Sequence, residues 1–221
     1  MKNAMQSPIF HRYDTLAPIY DRRWKRYLDQ TLTPATCVIK DSRPLQILDI
    51  ACGTGEMIQR LLVAAPKAKI VGVDGSKAML GIASQKFQKE PRVSFQQALA
   101  ESLPFPDHIF DWVISCNSFH CFDQLDQVFS EVTRVLGQEG HLLVVDWCRN
   151  AWHCRLMNRW LTLFDETHHW MYTMEELSQM AVAHHLVVEK INRFRIDWPV
   201  GFRFLEMMLF VGFLPKKEDD Q

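Results

Sequence analysis

The stretch Pro44-Leu-Gln-Ile-Leu-Asp-Ile-Ala-Cys-Gly-Thr-Gly55 runs straight into Glu56-Met-Ile-Gln-Arg-Leu-Leu-Val63. Leu45, Ile47, Leu48 and Ile50 form a short apolar run with β-branched members, as in a strand buried on both faces. Asp49 sits near its end. Gly53 and Gly55 free the backbone for positive φ and for close approach to a ligand. From Glu56, the residues Ile58, Leu61, Leu62 and Ala65 recur at helical spacing until Pro66 stops the run. Strand, glycine turn and helix in this order open the ligand crevice of a doubly wound sheet.

The loop discriminates between ligands. A dinucleotide loop is written G-x-G-x-x-G, its third glycine allowing close helix–strand packing; counted from Gly53, that position holds Ile58. Glu56 places a carboxylate where a helix N-terminus would cradle a pyrophosphate, although an acid in a first turn is also favoured by the helix dipole alone. The two features disfavour NAD and an oxidoreductase. A loop of the form D-x-[AG]-x-G-x-G suits a ligand with a small zwitterionic head and no phosphate, such as S-adenosylmethionine (SAM).

Lys69-Ile-Val-Gly-Val73 reads as the next strand, with Asp74 at its end. An acid about 20 residues beyond the glycines is placed to accept hydrogen bonds from ribose hydroxyls. Asp74-Gly75-Ser76 also reads as a turn, with Ser76 capping the helix that follows.

Four segments carry a family resemblance: D-I-A-C-G-T-G, V-G-V-D-G-S-K-A-M-L, L-P-F-P-D-H-I-F-D-W-V-I and E-V-T-R-V-L-G-Q-E-G-H-L-L-V-V-D. In order and spacing, from about Tyr13 to Asp146, the chain resembles class I SAM-dependent methyltransferases, and among them the ubiquinone/menaquinone-biosynthesis type. The resemblance implies an α/β fold: a Rossmann-like, doubly wound seven-stranded sheet, mostly parallel with the last strand antiparallel, and helices on both faces. It implies SAM as cofactor, with Asp49, Ala51, Gly53 and Gly55 at the methionine end, Asp74 and Gly75 at the ribose, and Ser115 and Asn117 at the end of the fourth strand. An N-terminal helix at about 13–40 lids the cofactor in such proteins; Tyr20 matches the tyrosine that contacts it, and Met79 the methionine near the adenine. The position of Leu99 is usually an aspartate that binds the adenine amino group. Leucine accepts no hydrogen bond, which leaves backbone near Ala100, or Glu101, to hold that edge.

Composition bounds the remainder. At 221 residues the chain suits a single domain. A net charge of −1 and no basic run argue against a nucleic-acid footprint. The N-terminus shows no apolar signal core, and the longest apolar stretch, Leu205 to Leu214, includes Glu206 and is too short to span a bilayer. Six cysteines without a C-x-x-C pair read as reduced thiols, so a cytoplasmic location is expected. Residues 1 to about 10 read as loose. Further strands are expected at 93–95, 110–115, 141–145, 186–196 and 205–213. Helices are expected at 76–88, 122–136 and 151–164, and from the capping box Thr173-Met-Glu-Glu176 to about Ala183.

The chemistry after the fourth strand is Ser115-Cys116-Asn117-Ser118-Phe119-His120 where many N-methyltransferases have [DN]-P-P-Y, which favours O- or C-methylation. His120 stands at the rim as the candidate base, or else packs against the next helix. Asp146 either orients His120, meets a substrate hydroxyl, or caps its loop. In the substrate-side region at about 147–185, with residues beyond, Trp147, Trp152, Trp160, Trp170 and Trp198 suggest an aromatic-rich pocket for a small apolar or ring-bearing acceptor. The alternative is a lid that packs with tryptophans. No metal is expected, but Cys116, His120, Cys121, Cys148, His153 and Cys154 leave open a thiolate cluster for an arsenite-type substrate. A non-catalytic SAM-binding protein is the other alternative. The sequence leaves acceptor, methylated atom and oligomeric state open.

Overall fold

The computed structural model describes residues 8–165, 167–197 and 204–216. Its centre is the strand read first. β1 (Gln46–Ile50) buries Ile47 and Leu48 completely and Ile50 nearly so. With period two along a strand, Ile47 faces one side of the sheet and Leu48 and Ile50 the other. Around it lie β2 (Lys69–Asp74), β3 (Val93–Gln97), β4 (Phe110–Cys116), β5 (Leu136–Trp147), β6 (Val187–Asp197) and β7 (Phe204–Phe213). The sheet order is β3-β2-β1-β4-β5-β7-β6. β1 to β5 pair in parallel, and β7 runs antiparallel to both β5 and β6. The seven-stranded, Rossmann-like sheet is thus the expected one.

Helices cover both faces. α1 (Pro8–Leu16) and α2 (Tyr20–Ser42) are joined by a short helical turn at Ala17–Ile19. α2, α3 (Glu56–Ala64) and α6 (Trp152–Phe164) pack with Ile47, Ile114, Val145 and Met207 on one face. α5 (Leu125–Val135) and α7 (Met174–Ala183) pack with Leu48, Val113, Val144 and Phe210 on the other. α4 (Lys77–Lys86) starts at Ser76, whose hydroxyl accepts the Met79 amide at 3.1 Å. α7 carries the expected capping box, Thr173 and Glu176 exchanging hydrogen bonds.

Three expectations need correction. Residues 1–7 lie outside the described residues, but Pro8, Ile9 and Phe10 are helical, not loose: Pro8 opens α1, where its missing N–H costs nothing. The helix expected from Phe122 begins at Leu125, because Phe119–Cys121 forms a separate tight turn whose first two amides bond the Asp146 carboxylate. Gly137–Gly140 does not break the chain before β5. It is an irregular part of that strand, with Glu139 at φ 61° and a register shift opposite Phe110–Trp112.

The chain leaves β1 toward β2 and β3, then returns to place β4 on β1's other side. This reversal leaves an opening beyond the carboxyl ends of β1 and β4, where doubly wound sheets bind ligands.

Candidate active site

The glycine turn after β1 is held by two backbone hydrogen bonds. The Cys52 amide donates to Val73 O at 3.0 Å and the Gly55 amide to Cys52 O at 2.9 Å. Ala51 (φ 55°), Gly53 (φ 55°) and Gly55 (φ 82°) all take the left-handed region. A Cβ on Gly53 would meet nothing within 4 Å, so this glycine faces open space; on Gly55 it would lie 2.5 Å from Phe87 Cε2. Gly53 therefore serves the opening, while Gly55 serves the packing of α3 beside Phe87.

That opening is a cavity of about 330 Å³. Its walls include Tyr20, Ala51, Gly53, Asp74, Gly75, Met79, Ala100, Glu101 and Asn117, all candidates from the sequence, together with Leu99. A smaller cavity of about 40 Å³ adjoins it through the shared Tyr20, Ala51, Gly53 and Asn117, and Asp49 lines this one. Gly55 and Ser115 are in neither wall. Ser115 is buried beneath, its hydroxyl donating to Ile50 O at 3.1 Å and paired with Ser118.

Two acids set the electrostatics. Asp49 is 2% exposed, and among the described residues its Oδ2 has no hydrogen-bond partner. Burial first, then the charge of Asp74, raises its pKa well above the carboxylate range. Asp74 accepts from the Gly53 amide on one oxygen and the Ser76 amide on the other, each at 2.8 Å. Burial raises its pKa against the lowering effect of those amides. Asp74 is thus both the turn acid and a cavity-wall acid.

The N-terminal helices supply the outer wall. Ile9, Phe10 and Tyr13 of α1 line the cavity with Tyr20. Phe10 sits over Gly75 so closely that any Cβ there would run into its ring. Ile9, Phe10 and Tyr13 were missed as site residues; their helical spacing after Pro8 was the available signal. Asn117, at φ 60°, is fixed by α2: Tyr27 donates to its Oδ1 at 2.8 Å and its Nδ2 donates to Thr31 at 2.9 Å. The Trp147 indole donates to the same Tyr27 hydroxyl at 2.8 Å.

His120 and Asp146 meet, but outside the cavity wall. His120 Nδ1 lies 2.7 Å from Asp146 Oδ1, and the imidazole stacks on Trp147 with ring centroids 4.2 Å apart at 7°. Asp146 also accepts from the Phe119 amide at 2.6 Å and the Trp147 amide at 2.6 Å, so it orients the histidine and caps the loop at once. Burial opposes charge on His120, but the Asp146 carboxylate prevails and holds its pKa well above the ordinary value. Nearby His168 is pushed down to about 4, by burial first and then by the charge of His120. A base needs a free nitrogen that faces the acceptor; His120 Nδ1 is engaged by Asp146, its ring lies against Trp147, and it lines neither cavity. The side chains at and after the end of β4 that do line the cavity include Cys116, Cys121 and Phe122; Cys121 Sγ is 3.9 Å from the Tyr13 hydroxyl.

Two further expectations fail. The tryptophans do not build a pocket: Trp152, Trp160 and Trp170 are exposed, Trp147 stacks on His120, and Trp198 lies outside the described residues. The thiols do not gather into one cluster either: Cys116 and Cys121 line the cavity, away from Cys148 and Cys154. Cys154 packs in the core of one sheet face and Cys148 in that of the other. Among the described residues no three His, Cys, Asp or Glu side chains are grouped to hold a metal ion.

Comparison with known proteins follows the same lines. Residues 47–140 match the family model of a methyltransferase domain. The demethylmenaquinone methyltransferase of Thermus thermophilus is 36% identical over 147 residues, 64% of each chain. The ubiquinone/menaquinone biosynthesis C-methyltransferase UbiE of Geotalea uraniireducens is 29% identical over 179 residues, 74% of this chain and 69% of that protein. The chain spans 58–64% of the length of the first four curated relatives it matches. Among solved structures, a SAM-dependent methyltransferase of Thermotoga maritima superposes with TM-score 0.72 at 19% identity, covering 93% of this chain and 99% of that one. The YcgJ protein of Bacillus subtilis does so with TM-score 0.69 at 23% identity, covering 82% and 98%. Domain match, relatives and fold agree with the residues around the glycine turn: the chain is similar in sequence to SAM-dependent methyltransferases, the quinone-biosynthesis enzymes among them, and shares the Rossmann-like methyltransferase fold.

Proposed function

We propose that the protein transfers the methyl group of SAM to a small, largely apolar acceptor at oxygen or carbon, with a quinone-type ring as the acceptor class. The carrying observation is the orphaned Asp49 Oδ2 in a small cavity that adjoins a larger, mostly apolar one through the glycine turn. A buried carboxylate oxygen without a partner demands a donor, and the ammonium of an amino-acid ligand is a fitting one. Asp74 keeps acceptor capacity for vicinal hydroxyls beyond its two amide bonds. Met79, Ala98, Leu99 and Ala100 offer a flat ring an apolar wall, consistent with leucine in place of an acid.

When bound, SAM supplies an activated methyl on a cationic sulfur. The chain's task is then alignment and exclusion of water. Ile9, Phe10 and Phe122 close the cavity with apolar surface. Tyr13 and Cys121 are among the polar groups that line only the larger cavity, while Tyr20 lines both cavities. The tyrosines stay neutral: the neighbouring Cys121 and then burial hold the pKa of Tyr13 above the ordinary value, and burial and then Cys121 do so for Tyr20. The Asp146–His120 pair acts as a positioning unit, fixing the Phe119–Cys121 turn that presents Cys121. The acceptor class rests on the relatives' names, two kinds of quinone-pathway methyltransferase.

Calorimetric titration with SAM and with NADH tests the first half: heat with SAM alone is expected. Incubation with labelled SAM and a reduced naphthoquinone lacking its ring methyl tests the second. A labelled product is expected, and SAM binding without turnover on quinols or phenols would mean a binding protein instead.

A further inference from the structure

The α6 face turned away from the core points to a membrane-docking surface. Trp152, Leu156, Trp160, Leu163 and Phe164 are each 57–70% exposed, while His153, Cys154 and Asn158 of the same helix are buried. At about 100° per residue Trp152, Leu163, Leu156 and Trp160 fall within an arc of roughly 80°, with Phe164 just beyond the buried His153. Arg155 and Arg159 border that arc, both exposed, and among the described residues neither forms an ion pair. The helix carries no acidic residue. Tryptophan, leucine and phenylalanine beside arginine is the composition of a helix lying in a lipid interface. No helix among the described residues is long and apolar enough to cross a bilayer, so the contact is docking and not spanning.

We propose that α6 seats this protein on an anionic lipid surface. The charge pattern selects this occupant. A two-fold contact with a second copy would set Arg155 and Arg159 against their own equivalents with no carboxylate on the helix to meet them, whereas anionic headgroups attract each arginine. The surface is also continuous with the cavity rim. Thr162 Oγ1 of α6 reaches His169 O at 3.5 Å, and His169 lines the large cavity. Next to it, Trp170 is 39% exposed under a stacked Arg149 guanidinium 4.6 Å away. Docking through α6 would bring that rim to the lipid interface, where apolar molecules partition. The lipid contact itself does not rest on the transfer reading.

Vesicles of phosphatidylcholine, with and without phosphatidylglycerol, test this by co-sedimentation of the whole chain. Binding is expected only with phosphatidylglycerol, weakening with salt, with tryptophan emission shifting to the blue. The double variant Leu156→Glu/Leu163→Glu should lose about 100-fold or more in vesicle affinity, from two apolar burials removed. Arg155→Gln/Arg159→Gln should lose about 10-fold or more, from two headgroup attractions. Both variants change exposed positions, so circular dichroism and the heat of SAM titration should match the unsubstituted chain. Equal vesicle binding by all three forms overturns the proposal. So does absence of binding to anionic vesicles by the unsubstituted chain, or sedimentation showing a dimer that the glutamate variant dissolves. Loss of SAM heat in the unsubstituted chain would strike the transfer reading and leave the lipid result intact.

Discussion

Asp74, at the end of β2, accepts the amide of Gly53, in the turn after β1, at 2.8 Å. This bond ties the two adjacent loops that face the cavity, and its partner bond to the Ser76 amide ties the start of α4 to the same carboxylate. One side chain therefore shapes the turn and lines the site. Asp74→Ala should leave two amides unsatisfied, costing about 1–3 kcal/mol of stability, and should weaken SAM binding by about 100-fold as hydroxyl contacts and turn geometry go together. Asp74→Asn keeps one acceptor oxygen and should fall between. Calorimetry reads affinity and urea unfolding reads stability; unchanged SAM affinity in Asp74→Ala would remove the ribose role.

Gly55 is required for a different reason. At φ 82°, with Phe87 Cε2 2.5 Å from any added Cβ, alanine here meets both backbone strain and a ring. Gly55→Ala should cost about 1–3 kcal/mol. Adding Phe87→Leu should recover only the steric part, since the dihedral cost stays. Gly53, facing open space at φ 55°, incurs only the dihedral cost. Gly53→Ala should therefore unfold at a higher urea midpoint than Gly55→Ala.

The His120–Asp146 pair makes stability depend on pH. His120 has a folded pKa well above its ordinary value of 6.5, because the Asp146 carboxylate outweighs the opposing effect of burial. The stabilisation is fully present below about pH 6.5 and is lost as pH rises through the folded pKa. The difference in unfolding free energy between the unsubstituted chain and His120→Gln should shrink across the alkaline range. The same variant should lower turnover more than SAM affinity, since the imidazole fixes the Phe119–Cys121 turn and lines no cavity. A His120→Gln difference that stayed constant from pH 6 to 10 would mean that no charged pair forms.

The glycine turn and its sheet were legible because their signals are local: an apolar run, two glycines and a helix start lie within twenty consecutive residues. The capping of α4 by Ser76 was legible for the same reason. What escaped were contacts between distant residues. Asn117 is fixed by Tyr27, 90 positions away, and no spacing rule links them. His120 and Asp146 were read as neighbours at the rim, but whether the imidazole faces the cavity depends on Trp147 stacking on it. Periodicity correctly put Trp152, Leu156, Trp160 and Leu163 on one side of a helix. It carries no sign telling core from solvent, and that side proved to face outward. The tryptophans suggested a pocket because buried aromatics are the commoner case; on α6 the buried side is instead made of His153, Cys154 and Asn158.

Asp49 offers the sharpest separation of binding from stability. Its buried Oδ2 has no partner among the described residues, and burial with the nearby Asp74 charge raises its pKa. An acid with a raised folded pKa contributes most below its unfolded value near 3.8 and destabilises as pH climbs through the folded one. At neutral pH, Asp49→Asn should therefore raise the stability of the unliganded chain by about 0.5–2 kcal/mol, as removal of functional strain often does. If Asp49 meets the ligand's ammonium as proposed, the same change removes that charge, so saturating SAM should stabilise the variant far less than the unsubstituted chain. Urea unfolding with and without SAM measures both effects. An asparagine variant less stable when empty, yet equally stabilised by SAM, would show that Asp49 serves the fold and not the ligand.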